Sequence, residues 1–250
     1  EYLNLSRVQA ALEANKELSQ TYVDSLTSVL ERLIKNEPIQ YILGYTYFYD
    51  LRIQVSPGVL IPRPESEELI QWILSDYKES DKALKAVDCG AGSGCLSLAL
   101  KASLPNLQIT ALDVSDKALE VIELNKKALN LAIAHEKFDI LNDKMPYADL
   151  DFIVSNPPYV LESERELMRA NVLDYEPDLA LFVSNADPLI FYRKVLEHAL
   201  ESVKEEGSVY FEINEHFETE MIALAHSLGW KDSVVKKDMF GRSRMMRCRR

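Results

Sequence analysis

The chain has 250 residues, enough for one large domain or two small ones, and its hydrophobic share of 47% is that of an ordinary globular protein. Lys+Arg 28 against Asp+Glu 40 gives a net charge of −12, which argues against a broad nucleic-acid face because that needs a basic stripe; a local basic patch from Lys236 to Arg250 stays open. No apolar run approaches ~18 residues, so no membrane span is expected.

Residues 1–35 carry two helical stripes, Leu5, Val8 and Leu12, then Tyr22, Leu26, Val29, Leu30, Leu33 and Ile34. Two such helices cannot bury their faces alone, so they are expected to pack on each other or on the main domain, or to complete a bundle whose first helices precede Glu1. Asn36-Glu37-Pro38 ends the second helix. Tyr47–Val55 reads as a hairpin turning near Asp50, followed by an extended segment at Pro62-Arg63-Pro64-Glu65 and a helix holding Leu69, Ile70, Trp72 and Ile73. Residues 77–82 read as a loop. From there strands and helices alternate: a strand at Ala83–Asp88, a helix at Cys95–Ser103, a strand at Leu107–Val114, a helix from Ser115 to about Leu131, and a strand at Lys137–Ile140. Then come a strand at 150–155, a long irregular stretch, a helix over Pro188–Glu206 stopped by Gly207, a strand at Ser208–Ile213, a helix at Glu218–Leu228, and a final strand pair at Ser233–Lys237 and Arg244–Arg250. This pattern predicts a mostly parallel sheet with helices on both faces, closed at one edge by an antiparallel hairpin.

Cys89, Cys95 and Cys248 are odd in number and lack metal-ligand spacing, so they read as reduced thiols and point to a cytoplasmic protein. The four histidines are scattered without an i,i+4 pair, and no metal site is expected. The chain opens Glu1-Tyr2 without Met or a signal-peptide pattern, and a segment preceding Glu1 is an open expectation.

Two loops carry chemistry. Asp88-Cys89-Gly90-Ala91-Gly92-Ser93-Gly94 lies at a strand-to-helix turn, where glycines let backbone approach a ligand. A dinucleotide fingerprint would put its third glycine at Cys95, and a P-loop would need Lys-Ser/Thr after the last glycine, so both phosphate readings weaken. The loop suits a nucleoside with a carboxylate and no pyrophosphate, such as S-adenosylmethionine; a tight turn without a ligand is the plain alternative. Asp113, closing the next strand, can accept from ribose hydroxyls or merely cap the following helix, as Ser115 can. Asp139-Ile140 ends the third strand near where an adenine would lie.

The second loop is Asn156-Pro157-Pro158-Tyr159, after the buried run Phe152-Ile153-Val154. An amide or base-amino nitrogen is a poor nucleophile, and acceptors for its N–H groups help it. Asn156 offers a side-chain carbonyl and Pro157 a backbone carbonyl, both stiffened by the prolines, while Tyr159 offers a stacking face. A methyl group could then be taken in line without a metal or covalent nucleophile. An ordinary proline turn is the bland alternative.

With these residues the chain resembles the HemK/PrmC family of protein-(glutamine-N5) methyltransferases. Glu37-Pro-Ile-Gln-Tyr-Ile-Leu-Gly44, Val59-Leu-Ile-Pro-Arg-Pro-Glu65, the glycine loop, Asp113, Asn156–Tyr159, Tyr175-Glu176-Pro177, Ala180-Leu181, Lys237-Asp238, Gly241 and Arg244 carry the likeness. It implies a class I S-adenosylmethionine-dependent methyltransferase, a Rossmann-like, mostly parallel seven-stranded α/β sheet, with a small N-terminal helical domain at 1–40, a hairpin linker at 41–61 and the catalytic domain at 62–250. The implied substrate is the glutamine of a Gly-Gly-Gln loop in a class I peptide-chain release factor. Asn156, Pro157 and Tyr159 would be catalytic, and Asn156, Pro157, Pro158 and Tyr159 would hold the substrate. Gly90, Ala91, Gly92, Ser93, Gly94, Asp113, Ile140 and Asn156 would hold S-adenosylmethionine, leaving S-adenosylhomocysteine as product. A cytoplasmic monomer without direct nucleic-acid contact is expected. The chain departs from the family pattern at Glu212-Ile213-Asn214, where Glu-Ile-Gly is frequent, and at Ile140, where an aromatic is typical. The other readings are a nucleic-acid amino methyltransferase, whose flipped base the same four residues would serve, and a non-catalytic subunit of this fold.

Overall fold

The computed structural model describes residues 5, 7–13, 15, 17–77 and 82–250. The start of the first expected helix and most of the 77–82 loop lie outside these residues. In chain order the elements are α1 (Arg7–Leu12), α2 (Gln20–Ile34), α3 (Ile39–Leu43), β1 (Tyr45–Phe48), β2 (Leu51–Gln54), α4 (Glu65–Tyr77), β3 (Lys85–Cys89), α5 (Cys95–Ser103), β4 (Gln108–Asp113), α6 (Asp116–Leu129) and β5 (Ala134–Lys137). They continue with β6 (Leu150–Ser155), β7 (Val160–Leu161), α7 (Ala170–Leu173), α8 (Asp178–Leu181), β8 (Phe182–Val183), α9 (Ile190–Ser202), β9 (Val203–Glu212), α10 (Glu218–Ser227), β10 (Asp232–Lys237) and β11 (Ser243–Arg249).

Seven strands form the central sheet in the order β10-β11-β9-β6-β3-β4-β5. Only β11 runs against its neighbours, pairing antiparallel with both β9 and β10, so the expected closing hairpin is present. β6 lies mid-sheet because both of its faces are apolar. Phe152 and Val154 join the core beneath α4 and α5, whereas Ile153 joins the core beneath α9 and α10. All three are fully buried.

Short elements appear where none were expected, α3 before the hairpin and β7, α7, α8 and β8 in the stretch after β6, and two expected elements have other bounds. The third parallel strand is Ala134–Lys137, three residues earlier than expected, and Phe138-Asp139-Ile140 follow it as loop. The strand is a largely exposed edge with no apolar alternation; its apolar signal sits in Phe138 and Ile140, which are buried just beyond it. The helix expected to reach Glu206 stops at Ser202, because Val203 already pairs with Leu150 on β6. Gly207 is therefore a strand residue, next to a register shift opposite Leu150/Phe152.

The β1–β2 hairpin turns at Tyr49 and Asp50, both with positive φ (48° and 61°), the two-residue geometry that suits twisted strands. Buried Asn125 of α6 fastens it to the sheet: Oδ1 accepts from Gln54 N (2.7 Å) while Nδ2 donates to the carbonyls of Gln54 and Ser93 (both 3.0 Å). At the N-terminal end, α2 buries no side chain among the described residues, and Leu30, Leu33 and Ile34 of its stripe are exposed. Packing on α1 or on the main domain, two of the three arrangements expected, thus does not bury this stripe among the described residues. Tyr175 nonetheless donates to Lys35 O (2.8 Å), tying the end of α2 to the stretch after β6.

Candidate active site

β3 and β6 are adjacent and in register, Cys89 opposite Ser155, yet the chain leaves them toward opposite edges of the sheet. Ligand crevices form where strand order reverses in this way. Ser155 Oγ donates to Cys89 O (2.7 Å) and pins the two strand ends together. The glycine loop leaves one end and the Asn156 loop the other.

Gly90, Gly92 and Gly94 all have positive φ (74°, 57° and 76°), a conformation that costs an L-residue with a Cβ ~1–2 kcal/mol. Their surroundings differ. A Cβ at Gly90 or Gly92 would meet nothing within 4 Å, whereas one at Gly94 would stand 3.1 Å from Ile122 Cγ1. The first two therefore leave room at the cavity for a ligand, and the third lets α5 pack on α6. The loop is held from β4: Gly90 N and Ala91 N donate to Leu112 O (2.8 and 3.0 Å), and Gly92 N donates to Asp113 Oδ2 (2.8 Å). Asp113 Oδ1 accepts from Ser115 N (2.9 Å), while the cap of α6 is Ser115, whose Oγ accepts from Ala118 N (3.3 Å). Burial pushes the Asp113 carboxyl pKa up, against those backbone hydrogen bonds. Ile140 is buried, and its carbonyl meets His198 Nε2 at 3.0 Å, which anchors the 138–140 loop to α9.

Asn156 turns its Nδ2 to Glu212 Oε2 (3.0 Å) and, more distantly, to Ser66 Oγ (3.4 Å). Tyr159 donates its hydroxyl to the other oxygen, Glu212 Oε1 (2.8 Å), and its backbone carbonyl accepts from Asn214 Nδ2 (3.0 Å). Ser66 Oγ adds a short donation to Glu212 Oε2 (2.5 Å). Glu212 is 1% exposed; burial raises its pKa, and its hydrogen bonds from Ser66 and Tyr159, together with the nearby Arg244, oppose the rise. Burial, reinforced by the Glu212 charge, drives the Tyr159 pKa well up.

One cavity of about 250 Å³ joins the two loops. Gly90–Ser93, Asp113 and Ile140 line it, as do Asn156, Pro157 and Pro158. Gly94 and Tyr159 do not: Gly94 faces α6, and Tyr159 is drawn toward Glu212. Arg63 and Pro62 complete the wall, held by Glu176, which accepts from Ile61 N (3.1 Å) and Arg63 Nη2 (2.7 Å). No role for Ser66 was legible in the chain, and Glu212 stood out only as a member of the family's Glu-Ile-Gly position, with no role attached. The available signal was a carboxylate, Glu212, ending the otherwise apolar run Val209-Tyr-Phe211.

A parallel sheet whose first loop is this open glycine turn, with acceptors at the neighbouring strand end, defines a class I methyltransferase. Residues 68–173 match the Methyltransferase small domain, and residues 1–44 match the PrmC N-terminal domain. The chain is 41% identical over 245 residues to the release factor glutamine methyltransferase of Flavobacterium psychrophilum, covering 97% of this chain and 86% of that one. It is 42% identical over 226 residues to the protein of the same name from Bacteroides thetaiotaomicron, covering 90% and 80%. The chain belongs to the release factor glutamine methyltransferase family. Among solved structures, the ribosomal protein L11 methylase of Lactobacillus delbrueckii subsp. bulgaricus (TM-score 0.55, 20% identity, 79% of this chain and 84% of that one) shares the fold. So does the N-terminal domain of human METTL16 in complex with SAH (TM-score 0.59, 17% identity, 84% and 81%).

Proposed function

We propose that the chain methylates the side-chain amide nitrogen (N5) of the glutamine in the Gly-Gly-Gln motif of a class I peptide-chain release factor, with S-adenosylmethionine as donor. The observation that carries this reading is the single cavity in which the glycine loop and the Asn156 side chain meet. The cavity fits the donor: Gly90 and Gly92 leave the space a Cβ would fill, and Asp113 keeps free lone pairs beside it for ribose hydroxyls. Gly90–Ser93, Asp113, Ile140 and Asn156 would hold the donor, with Gly94 closing the turn against α6 behind them, and the donor supplies an electrophilic methyl group when bound.

The chain's own residues prepare the nitrogen. With Nδ2 committed to Glu212, Asn156 presents Oδ1 as an acceptor, and the Pro157 carbonyl is a second acceptor on backbone that cannot swing. Two acceptors on the amide N–H groups draw electron density toward nitrogen and set its face before reaction. We assign Tyr159 the flat face for the planar amide, which it would offer from behind the cavity's lining, where its hydroxyl tether to Glu212 holds it, and Pro158 the wall of the slot. Residues 1–40 would then serve as a helical unit gripping the release factor, 41–61 as linker and 62–250 as the catalytic unit of a cytoplasmic monomer.

The test is incubation of the protein with S-adenosylmethionine and an intact release factor, followed by mass spectrometry of the Gly-Gly-Gln peptide. One added methyl on glutamine is expected. Transfer to RNA or DNA with none to release factor would overturn the proposal in favour of an amino methyltransferase acting on bases.

A further inference from the structure

An asparagine carboxamide can sit either way round, because its terminal torsion is soft and nearly two-fold. Only one orientation turns Oδ1 toward the cavity. The neighbours of Nδ2 decide which. Glu212 Oε2 lies 3.0 Å from it, and Ser66 Oγ, whose own proton goes to Glu212, lies at 3.4 Å. Both are acceptors. Turned over, Asn156 would set its oxygen against a buried carboxylate oxygen, with two acceptors facing and nothing to share. The second oxygen of the same carboxylate takes the Tyr159 hydroxyl proton. One side chain therefore fixes both polar ends of the Asn-Pro-Pro-Tyr turn.

Glu212 is a costly device for this. It is almost fully buried, and among the described residues no cation lies within ion-pair distance of it; Arg244 favours its charge from nearby but makes its ion pair with Asp238 (3.4 Å). Removing a carboxylate from water without a direct ion-pair partner is unfavourable unless hydrogen bonds compensate, and here three donors converge on it: Ser66, Asn156 and Tyr159. Two of the three belong to the substrate turn, and the third comes from the first turn of α4, which follows the Pro62–Glu65 wall.

We propose that Glu212 is a positioning residue for methyl transfer, holding the Asn156 amide with its oxygen toward the substrate nitrogen. The proposal rests on the acceptor role given to Asn156 above. Glu212 touches neither reactant and acts through Asn156 and Tyr159. Glu212→Gln keeps the shape but offers an N–H₂ group in place of one acceptor, so Asn156 gains a stable reversed orientation.

The experiment is a double-mutant cycle of Glu212→Gln and Asn156→Ala on the full chain, read by single-turnover methylation of release factor and by calorimetry with S-adenosylmethionine. Glu212→Gln should lower kcat by roughly 10–100-fold, the scale on which outer partners of functional ligands act, with cofactor affinity little changed. In the Asn156→Ala background the same change should cost almost nothing further, because its target is gone. Wild-type kcat in Glu212→Gln, or an equal loss in both backgrounds, overturns the proposal and leaves the role of Asn156 standing. Full activity of Asn156→Ala overturns both. Ser66→Ala serves if Glu212→Gln does not fold. It removes the second acceptor facing Nδ2, so it should give a smaller kcat loss that is likewise absent in the Asn156→Ala background, and a loss that persists there counts against the lock.

Discussion

Arg63 and Glu176, 113 residues apart, meet at 2.7 Å, with the Glu176 side chain 1% exposed and that of Arg63 32% exposed. Glu176 also takes the Ile61 N–H, so one carboxylate carries the extended Pro62–Glu65 segment over the cavity. Breaking a buried pair by removing one partner costs ~3–5 kcal/mol, and the partial exposure of Arg63 points to the lower end. Glu176→Ala should therefore lower stability by about 3 kcal/mol in urea unfolding and raise KM for release factor. Wild-type stability would mean that Arg63 relaxes to solvent without loss.

Asn156→Ala deletes the oriented acceptor. By comparison with the loss of one oxyanion-hole donor, kcat should fall ~10²-fold or more. Cofactor binding should suffer much less, because the glycine loop and Asp113 remain. Steady-state kinetics with calorimetry would separate the two; undiminished kcat would remove Asn156 from the reaction.

Two glycines should fail in different ways. Gly90 lines the cavity, and a methyl there meets no protein atom but strains a residue at φ 74°, so Gly90→Ala should weaken S-adenosylmethionine binding at a stability cost of ~1–2 kcal/mol. A methyl at Gly207 would stand 2.1 Å from Val203 Cγ1 and 2.9 Å from the Asp151 backbone carbonyl, where β9 packs against β6. Gly207→Ala should lower the melting temperature while leaving the cofactor affinity of the folded fraction intact. Thermal unfolding and calorimetry on both variants check the contrast.

Asp88 gives a pH dependence. It is fully buried, its Oδ1 has no hydrogen-bond partner among the described residues, and its Oδ2 accepts from Ser97 N (3.1 Å) and Ser97 Oγ (2.6 Å). Burial raises its pKa from an ordinary 3.8 to about 7 despite those bonds. The folded state thus holds a proton that the unfolded chain releases near pH 4, so this carboxyl lowers stability progressively as pH rises from about 4 to 7, and the loss is complete above that. Asp113 and Glu212, also raised by burial, act with the same sign. Asp88→Asn keeps an acceptor for Ser97 and should flatten part of the fall, gaining stability over the wild type at pH 8 and none near pH 3. Urea midpoints across that range would show it, and parallel curves would refute it.

The parts of the fold with local apolar signals were legible. The strand at 150–155, the helix at Cys95–Ser103 and the two loops they lead to stand where their residues predict. Elements decided by long-range pairing were not. Val203-Lys-Glu-Glu206 reads as the tail of a helix, and only Leu150 across the sheet makes it strand. β5 is exposed and polar, so its place had to be inferred from Phe138 and Ile140, which lie past its end. In the site, Asn156 announces itself by its prolines, whereas Glu212 meets Ser66 across 146 residues and gains its meaning only from that meeting.

The register of Cys89 against Ser155 has a last consequence. The glycine loop and the Asn156 loop leave two neighbouring strands at the same level, so the strand ends from which they start are one inter-strand interval apart, about 4.8 Å. The sheet works as a ruler whose graduation is the backbone hydrogen bond. That level fixes where the two loops start and leaves the final placement to side chains such as Asn156, whereas inserting or deleting a single residue in β3 or β6 would shift one mark against the other.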